Sequence, residues 1–73
     1  MTVRSVAVQG GSIDLGALLK LAGLADTGGQ AKVMIRGGGV RVNGQIERRR
    51  GRKLVDGDIV EVLGQGAVVV KAP

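Results

Sequence analysis

The sequence has no cysteine, histidine, tryptophan, tyrosine or phenylalanine, and a single proline. Each absence closes off some chemistry. Without cysteine no disulfide framework can form, and the redox compartment cannot be read. Without cysteine and histidine there is no zinc site of the thiolate–imidazole kind, and no Ser-His or Cys-His nucleophile pair. The side chain that titrates most readily near neutral pH is missing, so acid–base work would fall to Asp, Glu or Lys. A non-enzymatic protein is expected, with no cofactor, metal or small-molecule substrate. Long apolar runs are absent too. None approaches the roughly 20 residues that a bilayer demands. The start, Met1-Thr2-Val3-Arg4-Ser5-Val6, lacks the apolar stretch of a signal peptide. The expectation is a cytoplasmic protein without a membrane partner.

What is present is 73 residues, of which 44% are hydrophobic and 23% charged. That is a globular composition and one domain, residues 1–73. The core must be aliphatic, built from Val, Leu and Ile. Fourteen glycines raise the entropy cost of folding. Domains of this size bury only about 60% of their unfolded surface, so stability should be modest.

Lys and Arg number 11 against 6 acids, a net charge of +5, and the charge is concentrated. Between Lys32 and Lys53 stand Lys32, Arg36, Arg41, Arg48, Arg49, Arg50, Arg52 and Lys53, with Glu47 the only acid. The remainder of the chain is slightly acidic. A solvated, solubilising loop is the bland reading. The preponderance of Arg favours a polyanion partner, because the guanidinium fork fits phosphate and stacks on bases.

Local patterns give the elements. Thr2 to Val8 reads as a short strand ended by Gly10-Gly11. Leu15, Leu18, Leu19 and Ala22 share one helical face. Asp14 is placed to cap that helix and Gly23 to stop it. Thr27-Gly28-Gly29-Gln30 has the form of a capping box for a second helix. Ala31, Met34 and Ile35 would be its buried stripe, and Lys32 and Arg36 would share another face. Gly37-Gly38-Gly39 stops it. The two short helices should pack as a corner. Val40-Arg41-Val42 alternates, and Asn43-Gly44 signals a type I′ hairpin returning through Gln45-Ile46. Glu47 to Lys53 holds no apolar residue and is expected on the surface. Asp56-Gly57-Asp58 reads as a turn, Ile59 to Leu63 as a strand, and Ala67 to Lys71 as a last strand after Gly64-Gln65-Gly66.

Several motifs resolve into structure. Gly37-Gly38-Gly39 follows a helix and lacks a Gly-Lys-Ser/Thr, so it is no phosphate loop. Gly64-x-Gly66 leads into a strand and is no dinucleotide fingerprint. The first helix has one Lys and no aromatic, which fits core packing rather than a membrane surface. Asp56 and Asp58 fit a turn better than a metal or catalytic pair. The missing aromatics also restrict nucleic-acid binding. Stacking of bases on Phe or Tyr is impossible, so contacts must go to phosphate and sugar. A structured RNA read by shape fits this better than a single strand read by sequence.

The order of these features resembles the RNA-binding domain named after ribosomal protein S4 of the small subunit, the alpha-L motif. The similarity spans about residues 13–62. It rests on Leu18-Leu19, Leu24-Ala25, Thr27, Ala31 and Ile35. It continues through Gly38-Gly39-Val40-Arg41-Val42-Asn43-Gly44, Leu54, Gly57-Asp58-Ile59 and Val62. Leu-Leu-Lys, Gly-Gly-x-Ala-Lys and the Glu-Arg-Arg run look like the small stand-alone bacterial members. The resemblance implies an α+β fold, two short packed helices against a small, mostly antiparallel sheet. It implies RNA contacts at Lys32, Arg36 and Arg41, and it joins the charge pattern in pointing to Arg48, Arg49, Arg50, Arg52 and Lys53. Many members carry Ser-Arg at the start of the second helix, where this chain has Thr27-Gly28. A phosphate could instead approach the helix N-terminus at Thr27, Gly28, Gly29 and Gln30. The expected partner is RNA, structured rRNA or tRNA, with ribosomal particles as a further candidate. A monomer is expected.

Two other readings compete. Ubiquitin-like sulfur carriers also use a Val-x-Val-Asn-Gly hairpin and an Asp-Gly-Asp turn, but their chemistry needs a terminal Gly-Gly. This sequence closes on Val70-Lys71-Ala72-Pro73. A protein-interaction module, with the Arg-rich loop meeting an acidic partner, stays open on sequence alone.

Overall fold

Two short helices lie against the inner face of a five-stranded sheet in the computed structural model, which describes residues 3–73. The strands are β1 (Val3–Ala7), β2 (Ile13–Asp14), β3 (Val40–Val42), β4 (Gln45–Ile46), β5 (Lys53–Leu54), β6 (Ile59–Val62) and β7 (Gly66–Lys71). The helices are α1 (Leu15–Leu21) and α2 (Gly28–Arg36). The main sheet runs β1-β7-β6-β3-β4, and β2 and β5 form a separate antiparallel pair. All neighbours in the main sheet are antiparallel except β1 and β7, which run parallel with Val6 opposite Val70. The α+β architecture matches the expectation. Residue Thr2, where the first strand was expected to begin, lies outside the described residues.

Strand alternation decides what is buried. Val6, Val40, Val42, Val60, Val62, Val68 and Val70 point to the helices, where Leu15, Leu18, Leu19, Ala31, Ile35 and Leu54 meet them. The core is wholly aliphatic, as the composition demands. No buried side-chain nitrogen or oxygen among the described residues lacks a partner. No helix among them is long and apolar enough to cross a membrane.

Both helices end in the same way. The Leu24 amide donates to the Leu19 carbonyl at 2.9 Å and the Gly23 amide to Lys20 at 3.1 Å. Gly39 and Gly38 repeat this pattern on Met34 and Ile35, at 3.1 and 3.2 Å. Such a closure needs a left-handed residue just past the helix. Gly23 and Gly38 supply it, with φ of +74° and +82°.

The N-termini depart from expectation. Asp14 occupies the cap position of α1 but its side chain makes no cap bond. At α2, Thr27 Oγ1 accepts from the Gln30 amide at 3.0 Å as expected. The Gln30 side chain, however, accepts from Asp26, one residue before the cap. The turn expectations hold better. Asn43 and Gly44 both have positive φ, 52° and 85°, as a type I′ turn requires. Asn43 also accepts from the Ile59 amide and donates to Asp58, tying the hairpin to β6. Asp56 and Asp58 accept from the amides of Ala72 and Val55, which fixes them as turn staples.

Leu54 is fully buried although its strand is only two residues long. Leu54→Ala should destabilise the fold by about 2–5 kcal/mol, the usual cost of a core leucine truncation. Urea unfolding followed by far-ultraviolet circular dichroism would measure it, and such a loss would leave a domain this small largely unfolded.

Candidate nucleic-acid interface

The segment between β4 and β5 was expected to lie wholly on the surface. Its first residue does not: Glu47 is only 8% exposed. The reason is electrostatic. A carboxylate can leave water when charged donors replace its hydration. The Arg49 guanidinium donates to it through Nε and Nη2, both at 3.1 Å. Arg52 Nη1 adds a third bond at 2.9 Å, and the Arg49 amide a fourth at 3.2 Å. These donors hold the Glu47 carboxyl at a pKa of about 2, with the side-chain bonds from Arg49 and Arg52 outweighing the opposing effect of burial. Arg49 is raised in turn, chiefly by its bond to Glu47.

The loop main chain is anchored as well. The carbonyls of Arg52 and Arg50 accept from the first amides of α1, Leu15 at 2.9 Å and Gly16 at 3.0 Å. Those amides would otherwise be orphaned. The loop thus caps α1 in place of Asp14. The Asp14 carboxylate is free to pair with Lys53, at 2.5 Å.

Arg48 turns the other way. Its Nη1 donates to the Arg36 carbonyl at 3.0 Å, at the end of α2. Its guanidinium lies over Gly38, where a Cβ would stand 3.1 Å from Nη2. The glycine serves the turn and makes room for this cap.

The basic positions read from the sequence therefore differ in state. Arg48, Arg49, Arg52 and Lys53 have intramolecular partners. Lys32, Arg36, Arg41 and Arg50 make no side-chain hydrogen bond or ion pair among the described residues. Lys53 belongs to β5 rather than to the loop. Arg41 sits opposite Glu61 in the sheet register, on the face away from the helices, and is not gathered with the α2 cations. At the start of α2, Thr27 and Gln30 are occupied by capping. Gly28 and Gly29 leave that end open, with nothing within 4 Å of a Cβ placed at Gly28.

A cleft of about 310 Å³ lies where α1, the start of α2 and the loop meet, with Asp14, Lys20, Gly28 and Arg50 among its lining. Lys20 was missed in the sequence because it lies outside the basic run. A second hollow, about 340 Å³, lies by the β6–β7 turn beside Arg41 and Glu61 and shares no residue with the loop.

This arrangement is that of a small α+β domain presenting cations beside a helix pair. The sequence matches the S4 domain over residues 6–71, and the chain belongs to that family. RlbA of Bacillus subtilis, a protein named for ribosome maturation, is 47% identical over 58 residues, covering 80% of this chain and 82% of the relative. YbcJ of Escherichia coli, named for RNA binding, is 41% identical over 58 residues, covering 80% and 83%.

The clasped carboxylate has a pH signature. Its folded pKa is depressed, so its contribution is complete above the ordinary carboxylate value of 4.5 and is lost as pH falls towards about 2. Glu47→Gln should lower stability at neutral pH by on the order of 2 kcal/mol, as expected for a buried charge-assisted bond. It should also flatten the loss of stability between those two pH values. Urea midpoints of both proteins at several pH values would check the pair of effects.

Proposed function

We propose that this protein binds structured RNA, an rRNA or tRNA-like fold, by docking α2 and the basic loop onto the phosphate backbone, without catalysis. Ribosomal particles are the setting the reading favours, in the cytoplasm. Family membership and the names of the two relatives support RNA as the partner. The observation that carries the mode of binding is the loop itself. It is highly charged, yet a buried Glu47 and the capped start of α1 hold its backbone in place beside the helix pair. An ordered set of cations recognises the geometry of a backbone, whereas a disordered basic tail supplies only charge. The lack of aromatics directs contacts to phosphate and sugar.

Lys32 and Arg36 are one turn apart on α2 and have no protein partner among the described residues. With Arg50 and the exposed part of Arg49, they can meet about four phosphates, which gives a log–log salt dependence with a slope of about 3. The test compares a folded rRNA or tRNA fragment, an unstructured single strand and duplex DNA across a salt series. Wild type should prefer the folded RNA. The double variant Lys32→Ala, Arg36→Ala should bind more weakly and show a slope shallower by about 2. Replacing all four loop arginines is the poorer test, because it also strips Glu47 of its partners. Equal, weak binding to all three nucleic acids would contradict the reading and direct attention to an acidic protein partner.

A further inference from the structure

We propose that the cleft between α1 and the basic loop is a seat for one phosphate group, with Lys20 and Arg50 as its cations. The proposal rests on the RNA-binding reading for the source of that phosphate, a backbone phosphodiester. The site itself follows from three observations.

Arg50 is positioned from both ends yet is uncommitted at its tip. Its carbonyl accepts from the Gly16 amide at 3.0 Å. Its stem lies across Gly16 so closely that a Cβ there would stand 2.7 Å from Arg50 Cγ. Only glycine lets the stem pass. The guanidinium makes no hydrogen bond or ion pair among the described residues, unlike those of Arg48, Arg49 and Arg52.

Lys20 stands one turn beyond Gly16 on α1, so the two share a face. It lines the same cleft as Arg50 and has no partner among the described residues. The two cations come from separate elements and converge on one hollow.

The cleft is small and its walls are largely backbone. Gly16, Ala17, Gly28 and Gly51 contribute almost no side chain. The amides of Gly28 and Gly51 have no acceptor among the described residues, so each remains available to an oxygen ligand. Asp14 is the one acid in the lining, and Lys53 neutralises it. A compact anion with several acceptor oxygens suits such a lining. The absence of a side chain at Gly28 leaves the opening clear.

The experiment uses the full chain and two probes. Inorganic phosphate is titrated while amide resonances are followed by two-dimensional NMR, and a folded rRNA or tRNA fragment is titrated across a salt series. The amides of Gly16, Lys20, Gly28 and Gly51 should shift together and saturably in wild type. That response should disappear in Lys20→Ala and in Arg50→Ala. Each substitution should also weaken RNA binding about tenfold, the loss of one charge-assisted bond, and lower the salt slope by about 1. Urea midpoints should stay close to the wild-type value, because both side chains are exposed and neither has a hydrogen bond or ion pair to lose. Gly16→Ala, if folded, should reproduce the Arg50→Ala loss. If the Lys20 and Arg50 variants keep wild-type affinity and slope while Lys32→Ala, Arg36→Ala loses both, RNA docking through α2 stands, Arg50 drops out of the phosphate contacts and the seat is refuted. If wild type binds no RNA but phosphate still moves the cleft amides, the RNA reading fails and the phosphate seat stands.

Discussion

Glu47 and the two arginines that hold it are the interaction on which the basic face depends. Four arginines within five residues repel one another. Left alone, such a segment would remain extended and mobile. One carboxylate reverses that. Buried and bonded by Arg49 and Arg52, it draws the loop inward. Its own amide donates to the Val40 carbonyl at 3.0 Å, which joins the loop to β3. The loop carbonyls then cap α1. Charge neutralisation, helix capping and sheet pairing are therefore coupled in one short segment, and the cations that remain are displayed from a fixed frame.

That frame divides labour among residues that look equivalent. Arg48 caps α2, Arg49 and Arg52 hold Glu47, and Lys53 holds Asp14. Arg50, Lys20, Lys32 and Arg36 are left to face outward. Preorganisation of this kind reduces the entropy lost on binding. Two glycines make it possible: Gly16 admits the Arg50 stem, and Gly38 admits the Arg48 guanidinium while closing α2. The basic residues thus divide into an internally paired set and a set without side-chain partners among the described residues, and net charge alone does not separate them.

Much of the fold was legible. Helical periodicity located α1 and α2, the positive-φ glycines marked their ends, and Asn43-Gly44 fixed the hairpin. The pair β2–β5 was not legible, because two residues cannot show an alternation. The parallel pairing of β1 with β7 was hidden for another reason: strand order depends on contacts distant in sequence. Asp14 looked like a cap because its local setting is that of a cap, and the competing acceptors, the Arg50 and Arg52 carbonyls, came from residues thirty-odd positions away. Glu47 offered a usable signal. A lone acid in a run of arginines either weakens the patch or organises it, and reading it only as a reduction in charge missed the second role. Lys20 escaped because clustering was judged along the chain rather than in space.

Measuring stability and RNA affinity together on Arg49→Ala, Arg50→Ala and Arg52→Ala tests this division most directly. Arg52→Ala, and to a lesser degree the more exposed Arg49→Ala, should lower the urea midpoint. Arg50→Ala should leave the midpoint unchanged and weaken binding to folded RNA. If all three variants changed stability and affinity alike, the arginines would be interchangeable charge, and Glu47 would not be organising them.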